Sequence, residues 1–197
     1  MTTTNTSQTS TAPTASPASA TLADLGGKYL TFGLGDEEYG ISLMRVREII
    51  ALMDITCVPL TPDYVRGVMN LRGKVIPVVD LRRKFTMEAT EDHDRKCIIV
   101  VDVEADDDST STEATQVGVL VDAVSEVLHI AGEDIEAPPS MSMGADVDFL
   151  AGLAKARDQV KILLDIDRVL ASYDLQAWAE EGALEARSDE EQPPEEA

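Results

Sequence analysis

After Gly27 the chain breaks into short apolar runs separated by turn residues, and this punctuation limits the folds open to it more than any other feature. Leu30, Phe32 and Leu34 alternate with Thr31 and Gly33, the period of two expected of a strand with one buried face. Gly35-Asp36-Glu37-Glu38 then turns the chain into a second strand, Tyr39 to Leu43. The segments 95–103, 115–121, about 124–130 and 159–166 are rich in β-branched residues, and several are apolar throughout, as strands buried on both faces are. No amphipathic helix of 10–15 residues separates successive strands, so the pattern predicts an all-β barrel architecture with short helices rather than a βαβ sheet. One such helix is expected from Leu43, where Leu43, Val46, Ile49, Ile50 and Met53 follow helical spacing for about three turns.

The most informative single stretch is Asn70-Leu71-Arg72-Gly73, between Val65-Arg66-Gly67-Val68-Met69 and Lys74-Val75-Ile76-Pro77-Val78-Val79-Asp80. Gly73 can take the positive φ of a tight hairpin, and the β-branched residues after it favour a pleated surface. Arg72 is thereby expected at a hairpin tip, exposed and rigidly presented. Its planar guanidinium keeps its charge and offers five donors to a carboxylate or carbonyl.

With 197 residues, 44% of them hydrophobic, the chain has room for one compact domain plus tails. The first 21 residues hold eight Thr, four Ser, four Ala, two Pro and no charge, so residues 1–27 are expected to be a disordered head without the marks of a secretory signal. The longest apolar runs, such as Ile98-Ile99-Val100-Val101, fall far short of the roughly 20 residues of a bilayer helix, so no direct membrane insertion is expected. Cys57 and Cys97 have no CxxC spacing and are expected as buried, reduced thiols.

The net charge is −21, and residues 171–197 carry nine acidic side chains against one basic. Such a surface repels phosphate and offers no basic stripe, which argues against nucleic acid as a partner. Residues 104–113 form an acidic, Ser/Thr-rich tract expected as a long exposed loop; they lack the glycine and terminal bidentate glutamate of an EF-hand calcium loop. Beyond Tyr173, Leu175, Trp178, Ala179 and Leu184 fit a short amphipathic helix before a disordered acidic tail.

The order and spacing of these blocks closely resemble the CheW family, scaffolds that couple chemoreceptors to the histidine kinase CheA. The resemblance runs through Tyr29-Leu30-Thr31-Phe32-Gly33-Leu34-Gly35-Asp36-Glu37-Glu38-Tyr39-Gly40-Ile41, Val46-Arg47-Glu48-Ile49-Ile50, the arginine turn and Val78-Val79-Asp80-Leu81-Arg82. It continues in Val117–Leu128, Leu150–Ala154 and Ile162–Ile166, spanning about residues 28–170. It implies two SH3-like five-stranded β-barrel subdomains packed around a shared core. It also implies a non-catalytic adaptor with no cofactor, cytoplasmic and recruited to receptor arrays at the inner membrane face. The implied partners are the regulatory domain of a CheA-type kinase and the cytoplasmic tip of methyl-accepting chemoreceptors. The partner-binding positions it implies are Val46, Glu48 and Ile49 on the expected helix, and Gly67, Asn70 and Arg72 around the hairpin. For Gly67 a close backbone approach or a bulge is expected.

Two patterns offer enzymatic alternatives. Ile162-Leu163-Leu164-Asp165-Ile166-Asp167 ends a strand in DxD, as in aspartate-dependent phosphatases, yet only about thirty residues follow, too few for the α/β body those enzymes need. Aspartates also end apolar runs at Asp80, Asp102, Asp122 and Asp165, which would suit a small metal-dependent hydrolase if they converged. Aspartates capping turns at strand ends account for the pattern more simply, and His93 and His129 have no evident acid or nucleophile partner.

Overall fold

A computed structural model describes residues 25–88, 90, 95–103, 115–138, 149–157 and 159–170. Most of the head, the 104–113 tract and the expected C-terminal helix lie outside the described residues. The chain forms β1 (Gly27–Leu34), β2 (Glu37–Ser42), a 3₁₀ turn (Leu43–Arg45), β3 (Val46–Ala51), β4 (Val65–Leu71), β5 (Lys74–Asp80) and α1 (Leu81–Lys84). It continues with β6 (Cys97–Val103), β7 (Thr115–Val121), β8 (Ala123–Ile130), a second 3₁₀ turn (Gly132–Asp134), β9 (Ile135–Glu136), β10 (Leu150–Ala156), β11 (Gln159–Leu164) and α2 (Ile166–Leu170).

These strands make a five-stranded sheet, ordered β3-β6-β7-β5-β4, and a six-stranded one, ordered β8-β1-β2-β11-β10-β9, in which β9 is only two residues long. Each sheet has a single parallel junction, β5 with β7 and β2 with β11, and is otherwise antiparallel. Side-chain alternation divides the core accordingly. Ile98, Val100, Ile76, Val78, Leu120 and Met69 pack inside the five-stranded sheet. Their neighbours Ile99, Val101, Val79, Val117, Val119 and Val121 face the other way and meet Leu30, Phe32, Leu34, Ile41 and Leu164 in a core shared by both sheets. A third cluster, Tyr29, Ile130, Ile135, Ala154 and Leu163, fills the six-stranded sheet. This is the arrangement the resemblance implied, two SH3-like subdomains around a common core with strands buried on both faces at their contact, except that one sheet gains a sixth strand, the two-residue β9.

The expected three-turn helix is not there. Leu43–Arg45 makes one 3₁₀ turn, Ser42 supplies no side-chain cap, and residues 46–51 form β3, which pairs antiparallel with β6 from Val46↔Val101 to Ala51↔Cys97. The helical spacing of Leu43, Val46, Ile49, Ile50 and Met53 was ambiguous, since Val46, Glu48 and Ile50 also sit two apart. The β-branched Val46, Ile49 and Ile50, with an open edge of β6 beside them, favour the strand. Ile49 and Met53, placed by the spacing on a buried face, are exposed.

Candidate functional site

Leu71 pairs with Lys74, leaving Arg72 and Gly73 as a two-residue hairpin loop. Both have positive φ, 53° and 85°, as a type I′ turn requires. Glycine adopts that geometry without strain, whereas Arg72 pays a steric penalty for it. The side chain of Asn70 braces the loop by accepting a hydrogen bond from the Gly73 N–H at 2.8 Å. Arg72 thus stands at a fixed tip, its side chain 77% exposed, and Nη2 donates to Glu48 Oε2 at 2.8 Å.

That contact joins strands that are not ladder neighbours. β3 lies at one edge of the five-stranded sheet, and the β4–β5 hairpin lies beyond β6 and β7 at the other. The Arg72–Glu48 pair therefore closes the barrel across its open seam. Along β3, Val46, Glu48 and Ile50 are half-buried while Arg47, Ile49 and Ala51 are exposed. Met53 beyond β3 is exposed as well, and Met44 at the preceding 3₁₀ turn is almost fully exposed. Of the six expected contact positions, Glu48, Ile49, Asn70 and Arg72 therefore lie at the surface or open onto it. Val46 packs against the shared core, and Gly67 is buried.

Gly67 has a purely structural place. Its φ is 135°, a Cβ there would lie 2.0 Å from the Thr56 carbonyl oxygen, and the β4–β5 register shifts between Val65 and Gly67. Val68 and Thr56 exchange backbone hydrogen bonds at 2.8 and 2.9 Å, which ties the crossover before β4 onto that strand. Cys57 lies on this crossover and is exposed, contrary to the expectation of a buried thiol. The segment bridges β4 at Thr56 and packs Leu52 and Ile55 against the core, while Cys57 faces outward. Cys97 on β6 is half-buried, and desolvation pushes its thiol pKa up.

The strand-end aspartates do not converge. Asp80 caps α1 by accepting from the Arg82 and Arg83 N–H groups at 3.0 and 3.3 Å. Asp165 accepts from the Arg168 N–H at 3.2 Å, and Asp102 faces Arg47 at 3.5 Å. Asp122 takes Arg82 Nη1 at 2.5 Å and the Gly35 N–H at 2.8 Å, joining α1 to the β1–β2 turn. Among the described residues, no group of three or more His, Cys, Asp or Glu side chains is placed to hold a metal.

Sequence reading missed a second tip of the same kind. Arg157, at the end of the β10–β11 hairpin, has a φ of 51° and donates from Nη1 to Glu126 Oε1 on β8 at 2.7 Å. An internal comparison of Val65–Lys84 with Leu150–Val169 would have exposed it, since glycine, arginine and aspartate recur there at the same spacing.

Residues 28–174 match the CheW-like domain family model. The chain is 34% identical to the chemotaxis protein CheW of Klebsiella aerogenes over 151 residues, 77% of this chain and 86% of that protein. It is also 34% identical to CheW of Rhizobium meliloti, over 79% of this chain and 95% of the relative. Its fold matches the crystal structure of the scaffolding protein TtCheW from Thermoanaerobacter tengcongensis with a TM-score of 0.65 at 32% identity, covering 76% of this chain and 94% of that one. The family model spans both sheets and the hairpin that carries Arg72, so the chain belongs to the CheW family, and is a non-catalytic chemotaxis scaffold of the kind that couples chemoreceptors to the histidine kinase CheA.

Proposed function

We propose that the protein couples its partners through the seam of the five-stranded sheet, where Arg72, Glu48, Asn70 and Ile49 meet at the surface, with Gly67 and Val46 supporting that surface from within. The partners in this reading are the regulatory domain of CheA and the cytoplasmic tip of chemoreceptors, and the site of action is the cytoplasm at the inner membrane face. The observation that carries it is the Arg72–Glu48 pair. A guanidinium held at a strained turn, with one donor committed to Glu48 and the rest of its fork in solvent, is already oriented for an incoming carboxylate or carbonyl. Exposed Ile49, next to Glu48 along β3, adds apolar area to the same edge strand. Holding receptor and kinase on one rigid body raises their effective concentration and lets receptor conformation bias the kinase.

Kinase stimulation in reconstituted receptor–kinase complexes, with a melt of the same variant, tests this reading. Arg72→Ala is expected to change stability within about 0.5 kcal/mol, as exposed ion pairs do, and to cost about 1–3 kcal/mol at the interface. Arg72→Lys restores only part of the loss, because a point charge does not reproduce a bidentate fork. Full stimulation by Arg72→Ala would reduce the arginine to a solvated turn residue. Loss of stimulation accompanied by unfolding would make its role structural.

A further inference from the structure

An ion pair stands just beyond the parallel junction of each sheet. β5 and β7 end side by side at Asp80↔Leu120, and two residues further on Arg82 Nη1 donates to Asp122 Oδ2 at 2.5 Å. β2 and β11 end side by side at Ile41↔Leu164, and past them Arg45 Nη2 meets Asp167 Oδ2 at 2.8 Å. In both pairs one partner is the second residue of the short helix that follows a hairpin, α1 or α2. The other lies where the chain crosses between the sheets, from β2 to β3 or from β7 to β8. The helix positions correspond: adding 85 to the residue numbers from 65 to 84 places Gly67 on Gly152, Arg72 on Arg157, Asp80 on Asp165 and Arg82 on Asp167. One device is thus built twice, with its charges reversed.

The two pairs lie at the roots of the two elements that meet at the seam. Arg82 follows β5 and so anchors the base of the hairpin that carries Arg72; its partner Asp122 also accepts from the Gly35 N–H at 2.8 Å, which ties that base to the β1–β2 turn of the other sheet. Arg45 immediately precedes β3, three residues before Glu48, and its partner sits on α2, beyond the six-stranded sheet's last strand. The root of β3 has little else to direct it. Its 3₁₀ turn has no side-chain cap and no buried residue, β3 is an edge strand with β6 on one side only, and the β3–β6 register shifts between Val46 and Glu48. Leu43 and Val46 pack against the shared core, but apolar contact is non-directional, whereas a guanidinium bound to a carboxylate fixes a direction. Direction matters here, because Glu48 meets Arg72 at 2.8 Å and a displacement of about 1 Å takes that contact beyond hydrogen-bonding distance.

We propose that Arg45 is a positioning residue for coupling: bound to Asp167, it holds the root of β3 so that Glu48 meets Arg72, and it makes α2 of the other half a support of the coupling seam. The proposal rests on the seam reading given above and extends it into the six-stranded sheet. Arg45 and Asp167, each 29% exposed, can be altered with less damage to the fold than the more buried Arg82 and Asp122. Full-length protein is assayed for kinase stimulation in reconstituted receptor–kinase complexes at limiting concentration, with a melt of each variant. Arg45→Met keeps an unbranched stem and removes the charge; it lowers stimulation about fivefold or more while the melting temperature stays within about three degrees. Asp167→Ala gives the same loss, and the two together lose no more than either alone. Arg45→Lys, which keeps the charge, retains about half of the parent's stimulation or more. The deciding readout is one that general loosening of the fold does not move. Arg72→Ala, costly in the parent, costs less than about twofold when Arg45→Met is present, because the contact it removes is already open. The proposal is overturned if Arg45→Met or Asp167→Ala keeps stimulation within about twofold of the parent, or if the losses from Arg45→Met and Arg72→Ala multiply as independent sites do. It is overturned as well if both Arg45→Met and Asp167→Ala lose coupling only by unfolding. An effect at Arg72 with none at Arg45 removes this proposal and leaves the seam reading standing. An effect at Arg45 in a protein indifferent to Arg72→Ala overturns both, since Arg45 would then act elsewhere than at the seam.

Discussion

The five-stranded sheet is cut from one continuous stretch, Val46 to Val121, whereas the six-stranded sheet is assembled from the two flanking stretches, Gly27–Ser42 and Ala123–Leu164. The backbones nevertheless repeat. What recurs is the set of residues with special backbone duties: the glycine at the bulge, the arginine at the tip and the aspartate before the helix. What does not recur is the filling. Ile76, buried and apolar in β5, matches Lys161 in β11, whose side chain is 3% exposed and ion-paired with Glu38, itself a hydrogen-bond acceptor from Ser125 Oγ. The same barrel position is therefore filled by an apolar side chain in one half and by an ion-paired lysine in the other.

The bulge glycines give the sharpest way to break this equivalence. At Gly67 an added Cβ meets the Thr56 carbonyl oxygen at 2.0 Å and the Thr56 carbonyl carbon at 2.7 Å, at a φ of 135°. Backbone cannot yield as a side chain can, so Gly67→Ala is expected to cost about 3 kcal/mol or more, or to prevent folding. At Gly152 the nearest atoms are Cγ2 of buried Ile135, at 2.7 Å, and the Glu136 carbonyl oxygen, at 3.1 Å, and no positive φ is involved. Relief needs a χ1 change or a small backbone shift at Ile135, so Gly152→Ala is expected to cost about 1–3 kcal/mol, less than Gly67→Ala because no left-handed backbone is strained. Equal losses in urea melts would show that the two bulges are constrained alike.

The mismatched interior position gives the next largest effect. Glu38→Ala leaves Lys161 buried, with Gln159 Oε1 at 3.2 Å as its remaining acceptor. The expected loss is about 2–3 kcal/mol, below the value for a fully buried pair because Glu38 is one-third exposed. Lys161→Met removes the cation and brings β11 closer to the apolar composition of β5, so it is expected to be neutral or stabilising by about 1 kcal/mol. Denaturant melts of both variants decide the matter. A large loss from Lys161→Met would mean that the lysine stem is packed as tightly as Ile76.

How much of this was legible in the sequence differs between the halves for the same reason. β5, β6 and β7 were readable because Val and Ile dominate them. β10, with the sequence Leu-Ala-Gly-Leu-Ala-Lys-Ala, carries no β-branched residue, and its pairing with β11 and β9 makes it a strand. The four- and five-residue helices α1 and α2 are too short to show a period. At the site, Arg72 and Gly73 announced their turn locally. The pairing of Arg72 with Glu48, and the strand state of Glu48 and Ile49, depend on a barrel closure that brings residues 24 apart together, and no local pattern encodes that.

The capping aspartates should show the smallest difference, and they test whether the two halves are braced equally where each hairpin ends. Asp80 is 8% exposed and accepts from two backbone N–H groups; Asp165 is 35% exposed and accepts from one, with Arg168 Nε at 3.2 Å adding a partly solvated ion pair. Asp80→Ala leaves two N–H groups at the start of α1 without their acceptor, one of them on buried Arg82, and is expected to cost about 1–2 kcal/mol. Asp165→Ala leaves the Arg168 N–H to water that can replace the lost oxygen, so about 0.5–1 kcal/mol is expected. Thermal melts resolve that gap, and kinase coupling measured with them carries the functional consequence. Arg82 also reaches Asp122 and the Glu88 carbonyl from α1, so loosening its first turn disturbs a polar tie at the junction of the two sheets, whereas α2 meets that junction chiefly through the apolar packing of Ile166, Val169 and Leu170 and loses only a part-exposed cap. Asp80→Ala should therefore weaken coupling more than Asp165→Ala does. The opposite order would place the more important brace at the end of the second hairpin, beside the seam that Arg157 closes.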